Sequence, residues 1–168
     1  LRVLDRLPRR VGGVRGGSQS FVFTLGPVGG RLLRRRGQTM PRLDAPGDRY
    51  VRHTLAITEF AVRLHEAHDR GDVELLEVKG EPAIWRPFIA AGGARLTLKP
   101  DLFVRLGAGP NEDRWFVEVD LATEARGTLI TKGRRYFDHF RSGTEQHAHG
   151  AYPRVLWTAP DAHRRALM

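Results

Sequence analysis

Two rhythms of apolar residues run through this chain. From Leu102 to Leu106 and again from Trp115 to Val119 the apolar positions form short, dense runs, the pattern of largely buried strands. Between them, Gly107 to Asp113 supplies glycine, proline and asparagine, which are turn-formers. An antiparallel hairpin is predicted, and it sets the start of one run beside the end of the other. Asp101 then neighbours Glu118, although the two are far apart in the chain. Side chains alternate along a strand, so Glu118 and Asp120 are expected on one face and Val117 and Val119 on the other.

The second rhythm is helical. Asp48 can cap a helix from Tyr50 to about His68, in which Val51, Leu55, Phe60, Val62 and Leu64 mark a broad buried face and Gly71 provides the stop. A strand is predicted at Val73 to Val78. Glu81 to Gly93, with two prolines and a glycine pair, reads as a loop around Trp85. After the hairpin, a second long helix starts at Asp120 or Thr123 and continues to about Phe140. It carries Leu129, Ile130, Tyr136, Phe137 and Phe140 on its apolar side, with Lys132, Arg134 and Arg135 elsewhere. Ser142 to Gly150 reads as a polar loop, Val155 to Thr158 as a final strand and Asp161 to Leu167 as a closing helix. The order from residue 49 to residue 168 is therefore helix, three strands, helix, strand: one α/β domain with a mixed sheet.

The front of the chain is different. Leu1, Leu4 and Leu7 line one side of a helical turn ending at Pro8. Arg9, Arg10 and Val11, a glycine-rich tip from Gly12 to Gly17 and the run Phe21 to Leu25 read as a hairpin with Arg15 at its tip. Gly26-Pro27 breaks the strand, and Val28 to Arg36 can begin a helix. Helix end, basic hairpin, helix is the order of the back half of a winged-helix DNA-binding unit, here residues 1–33, in which tip arginines meet phosphate. A lone hairpin arm is the alternative. The chain starts at Leu1 without an initiator methionine, as a fragment or an incompletely ordered chain would, and the recognition helix would precede it. Residues 34–48, rich in arginine, proline and glycine, read as a linker.

Charge sharpens this picture. The first 50 residues hold 11 arginines against 3 aspartates, so they carry nearly all of the net charge of +9. That asymmetry points to a polyanion partner, double-stranded DNA, for the N-terminal part. An arginine-rich linker without a partner is the plainer reading. The chain has no cysteine, which excludes disulfides and thiolate zinc sites and suits a cytoplasmic location. No apolar run is long enough to span a membrane, and no signal-peptide core is present.

Asp101, Glu118 and Asp120 gathered at one sheet end would repel each other unless a cation, a proton or a basic side chain compensates. Hard oxygen donors of this kind suit Mg²⁺ or Mn²⁺. The structural alternative is three solvated carboxylates at a sheet rim. Trp85 and Trp115 read as core or loop anchors rather than as base-stacking platforms.

Pro100-Asp101 opening one strand and Glu118-x-Asp120 closing the next, within an αβββαβ order, resembles the restriction-endonuclease-like core with its Pro-Asp…(Asp/Glu)-x-Lys pattern. The resemblance implies that Asp101 and Glu118 hold Mg²⁺, with Glu59 or Glu66 as an accessory acid from the first helix. Asp120 stands where that pattern has its catalytic lysine, and an acid cannot supply the positive charge. Lys132 on the next helix could substitute, as the lysine has migrated in some members. The chain also resembles the actinobacterial plasmid replication-relaxation family. The residues concerned are Arg9 to Ser18, Leu25-Gly26-Pro27, Gly30 to Leu33, His53 to Ala56, Pro100-Asp101, Glu118 to Asp120 with Thr123-Glu124, and Pro153 to Leu156. This implies a DNA-associated role on plasmids or mobile elements. Two functions follow: a DNA-binding protein whose nuclease-like domain serves docking or homodimer formation, and an active metal-dependent nuclease or nickase using Asp101, Glu118, Asp120 and Lys132. An enzyme unconnected with nucleic acid, or a plain scaffold, fits the basic N-terminus least.

Overall fold

The computed structural model describes residues 2–7, 21–37 and 47–167. The basic tip with Arg9, Arg10 and Arg15, and most of the expected linker, lie outside the described residues. The chain divides into two compact units, Leu1–Thr54 and Leu55–Met168. Among the described residues no helix is long and apolar enough to cross a membrane.

In the first unit, β1 (Leu4–Arg6) pairs antiparallel with β2 (Phe23–Leu25). The strand expected at Phe21 to Leu25 is present, but its partner is Leu4–Arg6, in the place of the expected helical turn. Leu4, at 55% exposed, has no helical face to bury, and pairing with β2 satisfies the backbone instead. Helix α1 (Pro27–Arg35) follows, with proline at its start and Arg34 and Arg35 in its last turn, where each suits the helix end. Gly26 and Gly29 allow the start of α1 to press on the strand. A Cβ at Gly26 would lie 2.4 Å from the Arg2 carbonyl oxygen, and one at Gly29 2.4 Å from that of Val3.

Helix α2 (Asp48–Asp69) starts at the end of the first unit, and its residues from Leu55 onward belong to the second. The second unit continues with β3 (Glu74–Gly80), a small hairpin of β4 (Arg86–Ile89) and β5 (Arg95–Leu98), β6 (Leu102–Ala108), β7 (Asn111–Val119), α3 (Arg126–Ser142), α4 (Thr144–His149), β8 (Arg154–Thr158) and α5 (Ala162–Arg165). The main sheet is mixed, in the order β3-β6-β7-β8. Its first three strands are antiparallel, and β8 runs parallel to β7.

The central hairpin is longer than the apolar runs alone suggest. Pairing continues to Ala108 opposite Asn111, and only Gly109 and Pro110 turn, with Gly109 at φ 62°, a conformation that favours glycine. Two expected loops contain structure. The β4–β5 hairpin occupies much of the stretch around Trp85, since Phe88 and Leu98 bury their side chains there. The polar stretch before β8 forms the short α4.

Each face of the sheet has its own core. Leu102, Val104, Val117 and Val119 pack with Ala56, Ile57, Phe60, Ala61 and Leu64 of α2. Phe103 and Phe116 pack with Ile84, Phe88, Leu98 and Tyr136, so the small hairpin and α3 cover the other face. The helix faces differ from the simplest reading of the pattern. Leu55 and Val62 are exposed on α2, and Ile130, Phe137 and Phe140 are exposed on α3. The inward stripe of α3 is Leu129, Lys132, Tyr136 and His139, spaced at three and four residues.

Candidate functional site

Register brings the acids together. Leu102 lies opposite Val117, so Asp101 and Glu118 come next to each other at the end of the β6–β7 ladder. The Asp101 backbone N–H donates to the Val117 carbonyl at 3.1 Å, and the Val119 N–H donates to Asp101 Oδ2 at 2.7 Å. The carboxylate is thus pinned to the neighbouring strand. Phe103, Phe116 and Glu118 share the α3 face, as alternation requires.

From that face α3 presents two partners for Glu118. Tyr136 donates its hydroxyl to Glu118 Oε1 at 2.6 Å, and Lys132 Nζ donates to Oε2 at 3.2 Å. The ammonium also lies 3.3 Å from Glu124 Oε2. Lys132 and Tyr136 stand four residues apart, one above the other on the helix. Helix α3 begins at Arg126, later than the start at Asp120 or Thr123 that the pattern predicts.

These contacts set the protonation chemistry. Burial pushes the Glu118 carboxyl up to about 7. Lys132 opposes that rise, the Asp101 charge adds to it, and the Tyr136 hydrogen bond again works against it. Burial opposes the charge on Lys132, but Glu118 and Glu124 outweigh it and hold the amine above its ordinary pKa. Burial, with Glu118 beside it, raises Tyr136 as well, so it remains a phenol and a donor. Lys132 keeps 33% of its side chain accessible while that of Glu118 keeps 3%, so the ammonium forms the exposed edge of the centre.

Asp120 does not join this group. The strand ends at Val119, and the Asp120 carboxylate turns to Arg164 of α5, which grips it with Nε and, at 3.1 Å, with Nη2. The same guanidinium donates to the Glu124 carbonyl at 2.8 Å. Asp161 caps α5 by accepting from the Arg164 N–H at 2.7 Å. The expected convergence of three carboxylates is corrected to two, because an arginine distant in sequence neutralises the third. Glu59, expected as an accessory metal ligand, instead pairs with Arg63 at 2.8 Å on the exposed side of α2. Glu66 is exposed too. Among the described residues no group of three or more His, Cys, Asp or Glu side chains is arranged to hold a metal.

An all-protein metal cage is therefore absent from the described residues. Two carboxylates remain, Asp101 and Glu118; Mg²⁺ and Mn²⁺ retain waters and take one or two protein carboxylates with substrate oxygens. Lys132 keeps a third of its side chain exposed to solvent beside them. Sequence reasoning missed Tyr136, Glu124 and Arg164. The Lys132–Tyr136 spacing carried a usable signal for the first; nothing local pointed to Arg164.

A buried acid pair, with a lysine and a tyrosine bonded to Glu118 at the end of a mixed sheet, makes this an α/β protein with a buried polar cluster. The chain belongs to the replication-relaxation family, whose model matches residues 1–155, a span holding Asp101, Glu118, Lys132 and Tyr136. No curated protein and no solved structure is significantly similar to it.

Proposed function

We propose that this chain is a DNA-binding protein of plasmid or mobile-element replication or transfer. In this reading the arginine-rich N-terminal part binds duplex DNA as the back half of a winged helix, and the second unit is a restriction-endonuclease-like core. The observation that carries it is Lys132 donating to Glu118 at 3.2 Å beside Asp101. An acid at the start of one strand, an acid at the end of the next and a lysine are the parts such a core requires. The helix supplies the lysine that position 120 lacks. Strand order and direction support the same reading.

The lysine contact also favours a second reading, an active metal-dependent endonuclease or nickase in the cytoplasm. Asp101 and Glu118 would hold Mg²⁺ or Mn²⁺, which when bound polarises a phosphoryl oxygen and acidifies water. Lys132 offers a positive charge toward developing phosphoryl charge. Tyr136 fixes the orientation of Glu118. Asp120 has no chemical step in this account; its pairing with Arg164 braces the loop leading to α3.

Supercoiled plasmid incubated with the protein and Mn²⁺, beside Asp101→Ala, Glu118→Ala and Lys132→Ala, separates the readings. Nicking by the intact protein that all three substitutions remove establishes the enzyme. Retardation of the plasmid with no nicking leaves the binding protein. Failure to bind DNA at all overturns both.

A further inference from the structure

The β4–β5 hairpin ends in an exposed aromatic–cation pair beside the candidate site. Arg86 lies opposite Leu98 in the last pair of its register, so Trp85 and Lys99 are next in line at the open end. Lys99 Nζ stands 3.9 Å from the Trp85 ring centroid. The indole Nε1 donates to Glu81 Oε1 at 3.0 Å, which sets the plane of the ring. Trp85 nevertheless keeps 39% of its surface accessible, although Ile84 before it is 1% exposed and Leu98, opposite the next residue Arg86, 2%. A rigid, buried base thus holds out an apolar ring that the protein leaves partly uncovered. Lys99 is exposed and precedes Asp101 by two residues, so their Cα atoms are at most about 7.6 Å apart.

We propose that Trp85 and Lys99 form a nucleotide subsite for an unpaired DNA strand, the base stacking on the indole and the adjoining phosphate meeting the Lys99 ammonium. The subsite rests on the DNA reading above and narrows the substrate class at the Asp101–Glu118 centre. Every base offers a π-face, but duplex stacking hides it, so an isolated aromatic platform selects single strands. The Lys99 ammonium lies over one face of the ring, so the base takes the opposite face while the cation supplies the backbone contact that such grooves combine with stacking. An ordered indole also costs little further entropy on binding.

The test uses the full chain, a short labelled oligo-dT and a labelled duplex. Oligo-dT should bind and quench indole emission, since Trp85 is the most accessible tryptophan among those described. Trp85→Ala should weaken oligo-dT binding about ten-fold, with its circular-dichroism melt and duplex affinity unchanged. Trp85→Phe keeps a stacking face, so it should retain binding while losing the quench. Lys99→Gln should lower the salt slope of oligo-dT binding by about 0.7. Equal oligo-dT affinity for the intact protein and Trp85→Ala, or a quench that survives in Trp85→Phe, overturns the subsite. Duplex binding without oligo-dT binding overturns it while leaving the DNA reading in place. Loss of both ligands from the intact protein removes the DNA reading as well.

Discussion

Glu118 carries the sharpest residue-scale consequence. Its folded pKa of about 7 lies above the ordinary 4.5, so the folded protein holds a proton that the unfolded chain releases between those values. The stability from this group is full below pH 4.5 and is lost as pH rises through 7. Glu118→Gln keeps the neutral shape, so relative to the intact protein it should gain about 3 kcal/mol between pH 4.5 and pH 8. Urea melts at both pH values check this; a difference between the two proteins that does not change with pH refutes it. Lys132→Met removes the nearest cation and should raise the Glu118 titration further, read from its carboxyl carbon shift. Under the proposed function, Mn²⁺ should raise the melting temperature more at pH 8 than at pH 6, because Glu118 must lose its proton to bind. Asp101→Asn should remove that rise. No metal-induced rise at either pH would refute the site.

Elements hold the centre in place. Between β7 and α3 the chain crosses Ala122 at φ 56°, a left-handed conformation that a non-glycine residue adopts at a cost. Ala122→Gly should therefore stabilise by about 1 kcal/mol if its added unfolded-state freedom is small. The loop keeps this course because Arg164 binds the Asp120 carboxylate and the Glu124 carbonyl together. Arg164→Lys should lower the melting temperature and only partly replace the guanidinium, since an ammonium cannot reproduce the planar fork. A melting curve identical to that of the intact protein would show that the brace contributes nothing. On the sheet side, Phe116 is fully buried between Phe103 and Tyr136. Phe116→Ala should cost about 3–5 kcal/mol by leaving a cavity under α3.

For the whole molecule, charge is the property on which the proposed DNA binding rests. The arginines of the first 50 residues concentrate positive potential in one stretch of the chain, and release of counterions from DNA makes such binding steeply salt-dependent. Changing Arg9, Arg10 and Arg15 together to alanine should weaken duplex binding about equally across sequences and flatten the salt slope by about 3. An unchanged slope would move the DNA contact elsewhere. The near-neutral remainder carries its charges mostly in pairs, such as Arg86 with Glu145 and Arg114 with Glu112.

Local pattern alone determined the α/β order, the central hairpin and the meeting of Asp101 with Glu118. A turn signal between two apolar runs dictates antiparallel pairing, and period-two alternation then places side chains without knowledge of the rest of the fold. It also supplied the arginine-rich front. Only tertiary structure decided how the acids are neutralised. Whether Lys132 faces inward depends on where α3 starts and how it lies on the sheet, and its half-buried ammonium is held there by Glu118 and Glu124. Asp120 meets Arg164 across 44 residues, a pairing that no local spacing encodes. Likewise, Leu4 becomes a strand residue because β2 offers its backbone a partner, and β4 forms because Phe88 finds a place in the core under α3, its ring against His139. Sequence rhythm shows which positions can be buried, whereas the element that covers them is settled by long-range packing and by the cost of leaving a buried charge alone.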